Sequence, residues 1–184
     1  MILGLDISTS IIGAAVLDSD GNHVIDDSWD IRKYKDFFQK ACVIEDKIGE
    51  LQFELQPRKV DKIFIEQPLM FLSSGMTTAR TITTLSKFNG MISWMAYKMF
   101  DLVPEYVEAS TARRMCGIKV PRGVKAKQCV MEYLLDNEPK FHVEYTRHGN
   151  PRPEAFDRAD AIIIAKAGYS IWQNEKSSDS SPTS

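Results

Sequence analysis

The stretch Met1-Ile-Leu-Gly-Leu-Asp6-Ile-Ser-Thr-Ser10-Ile-Ile-Gly-Ala-Ala-Val-Leu17 decides how this chain folds. Two apolar runs rich in isoleucine, leucine and alanine flank a Ser-Thr-Ser turn, a pattern typical of neighbouring β-strands. A third strand-like run follows the turn Asp18-Ser-Asp-Gly-Asn22. The sequence therefore predicts a meander of three strands, at residues 2–7, 11–18 and 23–30.

Helical and strand-like segments alternate after these strands. Apolar residues at helical spacing predict a helix that begins near Phe37 and ends near Gln56, and further helices over 78–100, 124–135 and 156–172. Short apolar runs predict two more strands, at 60–66 and 102–108. The order is βββαβαβα with one additional helix, which indicates an α/β protein.

Length and composition are those of an ordinary globular protein, with 184 residues of which 43% are hydrophobic and 26% charged. One well-buried core is expected at this length, and residues 1–174 are predicted to form a single domain. The chain after Trp172 is polar and serine-rich, so residues 175–184 are predicted to be a disordered tail. No apolar run approaches the roughly 20 residues that span a bilayer, so we expect a soluble, cytoplasmic protein with no membrane partner.

Acidic residues stand in apolar surroundings in three separate segments. Asp6 interrupts the first strand, Glu66 ends the fourth, and Asp157 and Asp160 open the last helix. A buried ionised carboxylate is costly unless it has a partner, so these residues call for cations or hydrogen bonds. Each acid alone fits a plainer interpretation, as a hydrogen-bonded strand residue or a helix cap. Taken together, the four predict a metal-binding nuclease site.

The ligand types indicate which metal such a site would hold. If the first and fourth strands are neighbours, Asp6 and Glu66 approach each other, while Asp157 and Asp160, at i and i+3, share a helix face. Oxygen ligands without a histidine or cysteine cluster suit Mg²⁺, with Mn²⁺ as a substitute, rather than zinc. Two ions about 3.5–4 Å apart would promote in-line hydrolysis of a phosphodiester. Asp6 is expected to bridge both ions, and spacing alone does not assign the other three acids.

Basic residues concentrate between Ser110 and Val130, where no acidic residue occurs. The net charge of −2 does not exclude a nucleic-acid partner, because binding depends on where the cations lie. A basic run is often only a solvated face, but beside an acidic metal site it would hold phosphates. The candidate phosphate-binding residues of this run are Arg113, Arg114, Lys119, Arg122 and Lys125.

These motifs resemble those of the RuvC-type Holliday junction resolvases, in the ribonuclease H-like superfamily, from Met1 to about Trp172. The resemblance rests on the order of elements and on Gly4-Leu5-Asp6, Ile65-Glu66-Gln67 and Asp157-Arg-Ala-Asp160-Ala161. It implies a ribonuclease H-like α/β fold, with a five-stranded mixed sheet of three antiparallel and then parallel strands, flanked by helices. It also implies a magnesium-dependent homodimer that resolves four-way and other branched DNA junctions by paired symmetric nicks. Recombination and repair in a bacterial or phage-infected cell would be its setting.

Members of this family carry a catalytic lysine at the start of the helix before the acidic one. Lys125 and Lys127 both fit that place, and Lys127 is favoured because it keeps the family's apolar phase, which leaves Lys125 as a phosphate contact. The family also has an aromatic residue three positions after the strand-four glutamate. This chain has Leu69 there, so Phe71 is a candidate wedge between bases, with core packing as the alternative.

By the same resemblance, the segment from Ser73 to Arg80 and the helix through Lys87 combine DNA contact with dimerisation. Arg80 and Lys87 are therefore candidate DNA contacts. Further along that helix, four large apolar residues at helical spacing face either a partner subunit or the core: Met91, Trp94, Met95 and Met99.

Other functions fit parts of the sequence. The first strands also resemble the phosphate loop of actin-like sugar kinases and chaperone ATPases, but a second glycine-rich phosphate motif is missing. A non-catalytic junction-binding module is a further alternative, although a binder of phosphates has no use for clustered acids. Within the nucleases, ribonuclease H-like cleavage of RNA or RNA–DNA hybrids is the main alternative, which the sequence separates poorly from junction cleavage.

Overall fold

A single mixed sheet forms the centre of the computed structural model, which describes residues 1–68 and 78–179. The strands are β1 (Ile2–Ile7), β2 (Ile11–Leu17), β3 (His23–Asp30), β4 (Lys62–Glu66) and β5 (Glu105–Val107). Their order in the sheet is β3-β2-β1-β4-β5. The pairs β1–β2 and β2–β3 are antiparallel, whereas β1–β4 and β4–β5 are parallel. The predicted meander and the predicted five-stranded mixed sheet are both confirmed.

Among the described residues, five helices flank the sheet: α1 (Phe37–Leu55), α2 (Ala79–Phe100), α3 (Ala109–Met115), α4 (Ala126–Asn137) and α5 (Pro153–Asp179). The side chain of Asp36 accepts the backbone amides of Phe38 and Gln39 and so fixes the start of α1. Sequence patterns predicted every helix except α3. That helix has seven residues and buries only Ala112, so it is too short to show an apolar period.

Two apolar layers lie on opposite faces of the sheet. On one face, α1 and α2 pack on Leu3, Leu5 and Ile12, with Phe88 of α2 fully buried. On the other face, α3, α4 and α5 cover the alternate residues of the same strands, among them Ile2. Since side chains alternate along a strand, Gly4 and Asp6 share the face of Ile2 and point toward α5.

The helix α5 lies unusually close to the sheet because glycines line its path. A Cβ atom added to Gly13 would lie 1.9 Å from the carbonyl oxygen of Asp157, and one on Gly4 would lie 2.5 Å from that of Ala161. Both contacts are with backbone atoms, which cannot turn aside as a flexible side chain does. The absence of side chains at Gly4 and Gly13 therefore brings the acidic turn of α5 down onto β1 and β2.

The ends of α5 differ from the prediction. It begins at Pro153 rather than near Phe156, and it continues past Trp172 to Asp179. Lys62 of β4 contacts Glu175 at 3.2 Å, which ties the added turns to the sheet. Within the helix, Lys176 lies 3.2 Å from the centre of the Trp172 ring. Residues 175–179 are thus helical, and 180–184 lie outside the described residues. In the described ranges no helix is both long and apolar enough to cross a membrane.

Candidate active site

The carboxyl ends of β1 and β4 bring Asp6 and Glu66 together. The parallel register pairs Ile2 with Lys62 and continues to Leu5 with Ile65, so the next residue of each strand is one of the two acids. Their charges interact, because Glu66 is one of the groups that raise the pKa of Asp6. The expectation that strands one and four are neighbours is therefore confirmed, and the two acids lie side by side at the carboxyl ends of these inner strands.

Asp157 and Asp160 reach the same place from α5. The close contact of Gly13 with the Asp157 backbone sets the height of this turn above the sheet. The two side chains are only 15% and 13% exposed. Because α5 begins at Pro153, Asp157 lies more than one turn inside the helix, beyond the reach of a simple cap and of most of the dipole effect. Capping therefore does not account for this pair.

All four carboxyl groups have a raised pKa. Burial is the largest cause in each, and repulsion among the acids adds to it for Asp6, Glu66 and Asp157. The pKa of Asp6 is raised well above its ordinary value, and that of Glu66 is raised to about 7. The ionised cluster is therefore an unfavourable arrangement that a cation would relieve.

Lys127, at the start of α4, supplies one such cation. Its ammonium lies 3.2 Å from a carboxylate oxygen of Asp160 and 3.6 Å from one of Asp157. Burial lowers the pKa of Lys127, but the charges of Asp160, Asp157 and Asp6 outweigh this and the pKa is raised. Of the two candidate lysines, the structure brings Lys127 to the carboxylates, while Lys125 is exposed at the N-cap of α4.

A second cation near the cluster is Arg113, on the helix that sequence patterns missed. Its charge lowers the pKa values of Glu66 and Asp160, against the larger effect of burial, so the guanidinium lies near both acids. The other candidate phosphate contacts, which do not reach the carboxylates, are exposed on two surfaces: Arg114, Lys119, Arg122 and Lys125 around α3 and α4, and Arg80 and Lys87 on α2. Phe71 lies outside the described residues.

Two buried polar residues support the strand ends that carry the acids. The Lys40 side chain is 8% exposed and donates to the carbonyl oxygen of Thr9 in the β1–β2 turn. Asn89, 3% exposed, donates to the carbonyl oxygen of Glu66 at 3.3 Å. Neither residue was predicted from the sequence, although Lys40 interrupts the otherwise apolar stripe of α1, and that interruption is a signal of burial with a polar partner.

The chemical types of these ligands suit a hard divalent cation, but the side chains do not form a ready ligand group. Four carboxylates with raised pKa values provide oxygen ligands and a surplus of negative charge. In the described part of the chain, however, no three acidic, histidine or cysteine side chains are arranged to hold a metal ion as they stand. Lys127, whose side chain is 56% exposed, lies against Asp157 and Asp160. A divalent ion bound by Asp157 and Asp160 would compete with this ammonium for the same carboxylate oxygens.

Solved structures resemble this fold over nearly the whole chain. Thermus thermophilus RuvC in complex with a Holliday junction substrate gives a TM-score of 0.63 at 12% identity, covering 94% of this chain and 95% of that one. Another structure of Thermus thermophilus RuvC gives 0.59 at 14% identity, covering 94% and 96%. The yeast mitochondrial Holliday junction resolvase Ydc2 gives 0.57 at 14% identity, covering 96% and 80%.

The likeness is one of structure, since no protein-family model and no curated protein matches the chain by sequence. Identities of 12–14% leave the architecture as the shared property. On that ground the chain has the ribonuclease H-like fold of the RuvC-type Holliday junction resolvases.

Proposed function

We propose that this protein is a metal-dependent endodeoxyribonuclease that resolves four-way and other branched DNA junctions, in recombination and repair. One observation carries the proposal: four carboxylates from β1, β4 and α5 meet at the carboxyl ends of β1 and β4, in a fold shared with two junction resolvases. A protein that only binds phosphates gains nothing from such clustered negative charge. The cellular compartment we propose is the cytoplasm of a bacterial or phage-infected cell.

The four carboxylates would hold two Mg²⁺ ions, and Mn²⁺ would substitute; the ligands would be Asp6, Glu66, Asp157 and Asp160. Bound there, the metal would activate water and stabilise charge on a phosphodiester under attack. Lys127 and Arg113 would then bind the phosphate oxygens, because both cations lie next to the carboxylates yet remain partly open to solvent. The exposed cations on α2, α3 and α4 would hold the flanking DNA.

Paired symmetric nicks need two such sites, and we propose a homodimer formed through α2. Trp94 and Tyr97, three residues apart on that helix, are 63% and 41% exposed and form an aromatic pair on the solvent side of α2. Of the four apolar residues singled out on α2, Met91, Met95 and Met99 pack on the core. Trp94 is therefore the member of that set left free to contact a partner subunit.

The substrate class is tested by offering labelled four-way DNA junction, linear duplex, RNA–DNA hybrid and single-stranded RNA to the same enzyme in Mg²⁺, Mn²⁺ or EDTA. We expect metal-dependent nicks placed symmetrically on two strands of the junction, with the linear duplex left intact. Preferred cleavage of the hybrid or of RNA would overturn the DNA substrate while leaving the carboxylate site in place.

Stability of the metal-free protein should fall as pH rises. The folded-state pKa of Glu66 is about 7, above its ordinary value of 4.5. The folded protein therefore binds this proton more tightly than the unfolded chain does. The resulting stabilisation is complete below about pH 4.5 and is lost as the pH rises from there past 7. That shift corresponds to a free energy on the order of 3 kcal/mol. Thermal unfolding in EDTA should show a melting temperature roughly 5 °C or more lower at pH 8 than at pH 5, and Mg²⁺ should reverse the loss.

Glu66→Gln is the matched control for that experiment, because it removes the titrating group and keeps its size. It should flatten the decline around pH 7. A wild-type protein whose stability in EDTA is constant or increases over this range would contradict a strained carboxylate cluster.

DNA binding should depend on the basic surface around α3 and α4. Replacement of Arg113, Arg114 and Arg122 by alanine should weaken junction binding and reduce the slope of log K against log salt by about one for each phosphate that the variant no longer neutralises. Arg58→Ala is the control, since Arg58 is exposed near the amino end of β4, opposite the carboxylates. Slopes that match the wild type in the triple variant would mean that this surface does not face DNA.

A further inference from the structure

A groove next to the carboxylate cluster is not used by the proposed metal site. It has a volume of about 620 Å³ and runs between α4 and the start of α5. Its aromatic lining comes from Tyr145 and Phe156, and its floor includes the buried side chain of Met131. Clefts of about 300–1,000 Å³ with apolar walls are typical binding sites for small organic groups.

Tyr145, one of the two aromatic residues of the groove, stands on a short ordered hairpin. Residues Tyr145 and Pro151 form an antiparallel bridge, and Arg152 donates its backbone amide to the carbonyl oxygen of Glu144 at 2.8 Å. The turn is closed by Gly149, whose amide donates to the Thr146 carbonyl oxygen at 2.9 Å and whose φ is +76°. The hairpin holds the Tyr145 ring over the groove, where it is 51% exposed.

Polar groups around the groove suit a nucleotide. Lys125 and Lys127 line it together with the amides of Gln128 and Asn150. Lysine ammonium groups bind phosphates, and asparagine and glutamine amides bind base edges. The acid in the lining, Glu132, accepts a hydrogen bond from Gln128 at 3.0 Å, which reduces the repulsion a phosphate would meet.

The groove continues directly into the proposed catalytic centre. Lys127 belongs to both, since its ammonium contacts Asp160 at 3.2 Å while its side chain lines the groove. Phe156 precedes Asp157 in the chain, so one aromatic side chain of the groove and a candidate metal ligand occupy the same turn of α5. A nucleotide adjoining a phosphate at the carboxylates would therefore have its base within reach of the groove.

We propose that this groove binds an unstacked nucleobase of the nucleotide adjoining the phosphate that is cut. This inference rests on the proposed nuclease function and extends it to the origin of sequence preference. Stacking of a base on Tyr145 and Phe156 would hold the strand in place, and Asn150 and Gln128 would select among bases. Base–aromatic stacking contributes enough affinity that removal of one ring should weaken the interaction about tenfold.

The test uses full-length protein with four-way junctions that carry 5-iodouracil at each nucleotide on either side of the mapped cut. After irradiation in EDTA, the crosslinked residues are identified by mass spectrometry. We expect a crosslink to Tyr145 or Phe156 from one position next to the cut. Tyr145→Ala should lower the cleavage rate about tenfold and reduce the difference between preferred and disfavoured sequences, whereas Tyr145→Phe should retain both.

Phe53→Ala serves as the control, because Phe53 is an aromatic residue 76% exposed near the end of α1, on the far side of the sheet from the groove. Junction cleavage with wild-type rate and preference in Tyr145→Ala, and no crosslink to the groove, would overturn this inference and leave the nuclease proposal standing. Failure of the wild-type protein to bind or cut any nucleic acid would overturn both. Crosslinking of the groove only to a second copy of the chain, and not to DNA, would also overturn the base-binding role.

Discussion

Asp6→Asn is expected to lower the rate of junction cleavage by at least about 100-fold while leaving junction binding nearly unchanged. Asp6 lies at the centre of the cluster, where Glu66, Asp160 and Asp157 all raise its pKa. Asparagine keeps the size of the side chain but provides only one neutral oxygen ligand, so a cation would lose its central carboxylate. Because the substitution removes a negative charge, repulsion between the site and DNA phosphates would decrease, and binding should be preserved or slightly strengthened.

Single-turnover cleavage and equilibrium binding in EDTA measure these two effects separately. Asp46→Asn is the matched control, since Asp46 is an exposed aspartate on α1. Its cleavage rate should equal that of the wild type. An Asp6→Asn enzyme that cuts at the wild-type rate would show that the chemistry takes place elsewhere.

Gly13→Ala should destabilise the fold by about 3 kcal/mol and also impair cleavage. The added Cβ would lie 1.9 Å from the Asp157 carbonyl oxygen and 3.1 Å from the Arg158 amide nitrogen, so α5 must move away from the sheet. That movement would separate Asp157 and Asp160 from Asp6. Thermal unfolding should show a melting temperature roughly 10 °C below that of the wild type.

Gly49→Ala separates this steric effect from the general consequence of replacing glycine. Gly49 lies inside α1, and an added Cβ would meet only the Met99 side-chain end, at 4.0 Å. Alanine at that place should stabilise the protein by about 0.5–1 kcal/mol, because it lowers the entropy cost of forming the helix. Equal destabilisation by the two substitutions would contradict the close contact between β2 and α5.

The pattern of apolar residues was sufficient to predict the sheet and the long helices. Strands β1 and β2 run apolar between clear turn residues, and their burial on both faces leaves little freedom in their assignment. The turn Asp18-Ser-Asp-Gly-Asn22 marks the start of β3. The acids could be identified for the same reason, because a charge inside an apolar run, such as Asp6, is conspicuous. The structure brings all four together with Lys127, and their roles as metal ligands and catalytic groups stay predictions.

Other features depend on contacts between distant segments, which no local pattern records. The helix α3 is too short for a detectable period, and the extended end of α5 contacts Lys62, which lies on β4. Gly13 cannot carry a side chain because the backbone of Asp157, far away in sequence, packs against it. Likewise, the groove beneath Tyr145 forms only when the hairpin folds against α4 and α5.

The most direct test of a carboxylate cation centre is anomalous diffraction from crystals of the wild-type protein grown with Mn²⁺. We predict anomalous density among Asp6, Glu66, Asp157 and Asp160, within about 2.0–2.3 Å of their carboxylate oxygens, with Lys127 turned away from Asp157. The same crystals of Asp6→Asn should have weaker or no density there. Manganese bound only at other places on the wild-type protein, with Lys127 still contacting Asp160, would contradict a cation centre at these carboxylates.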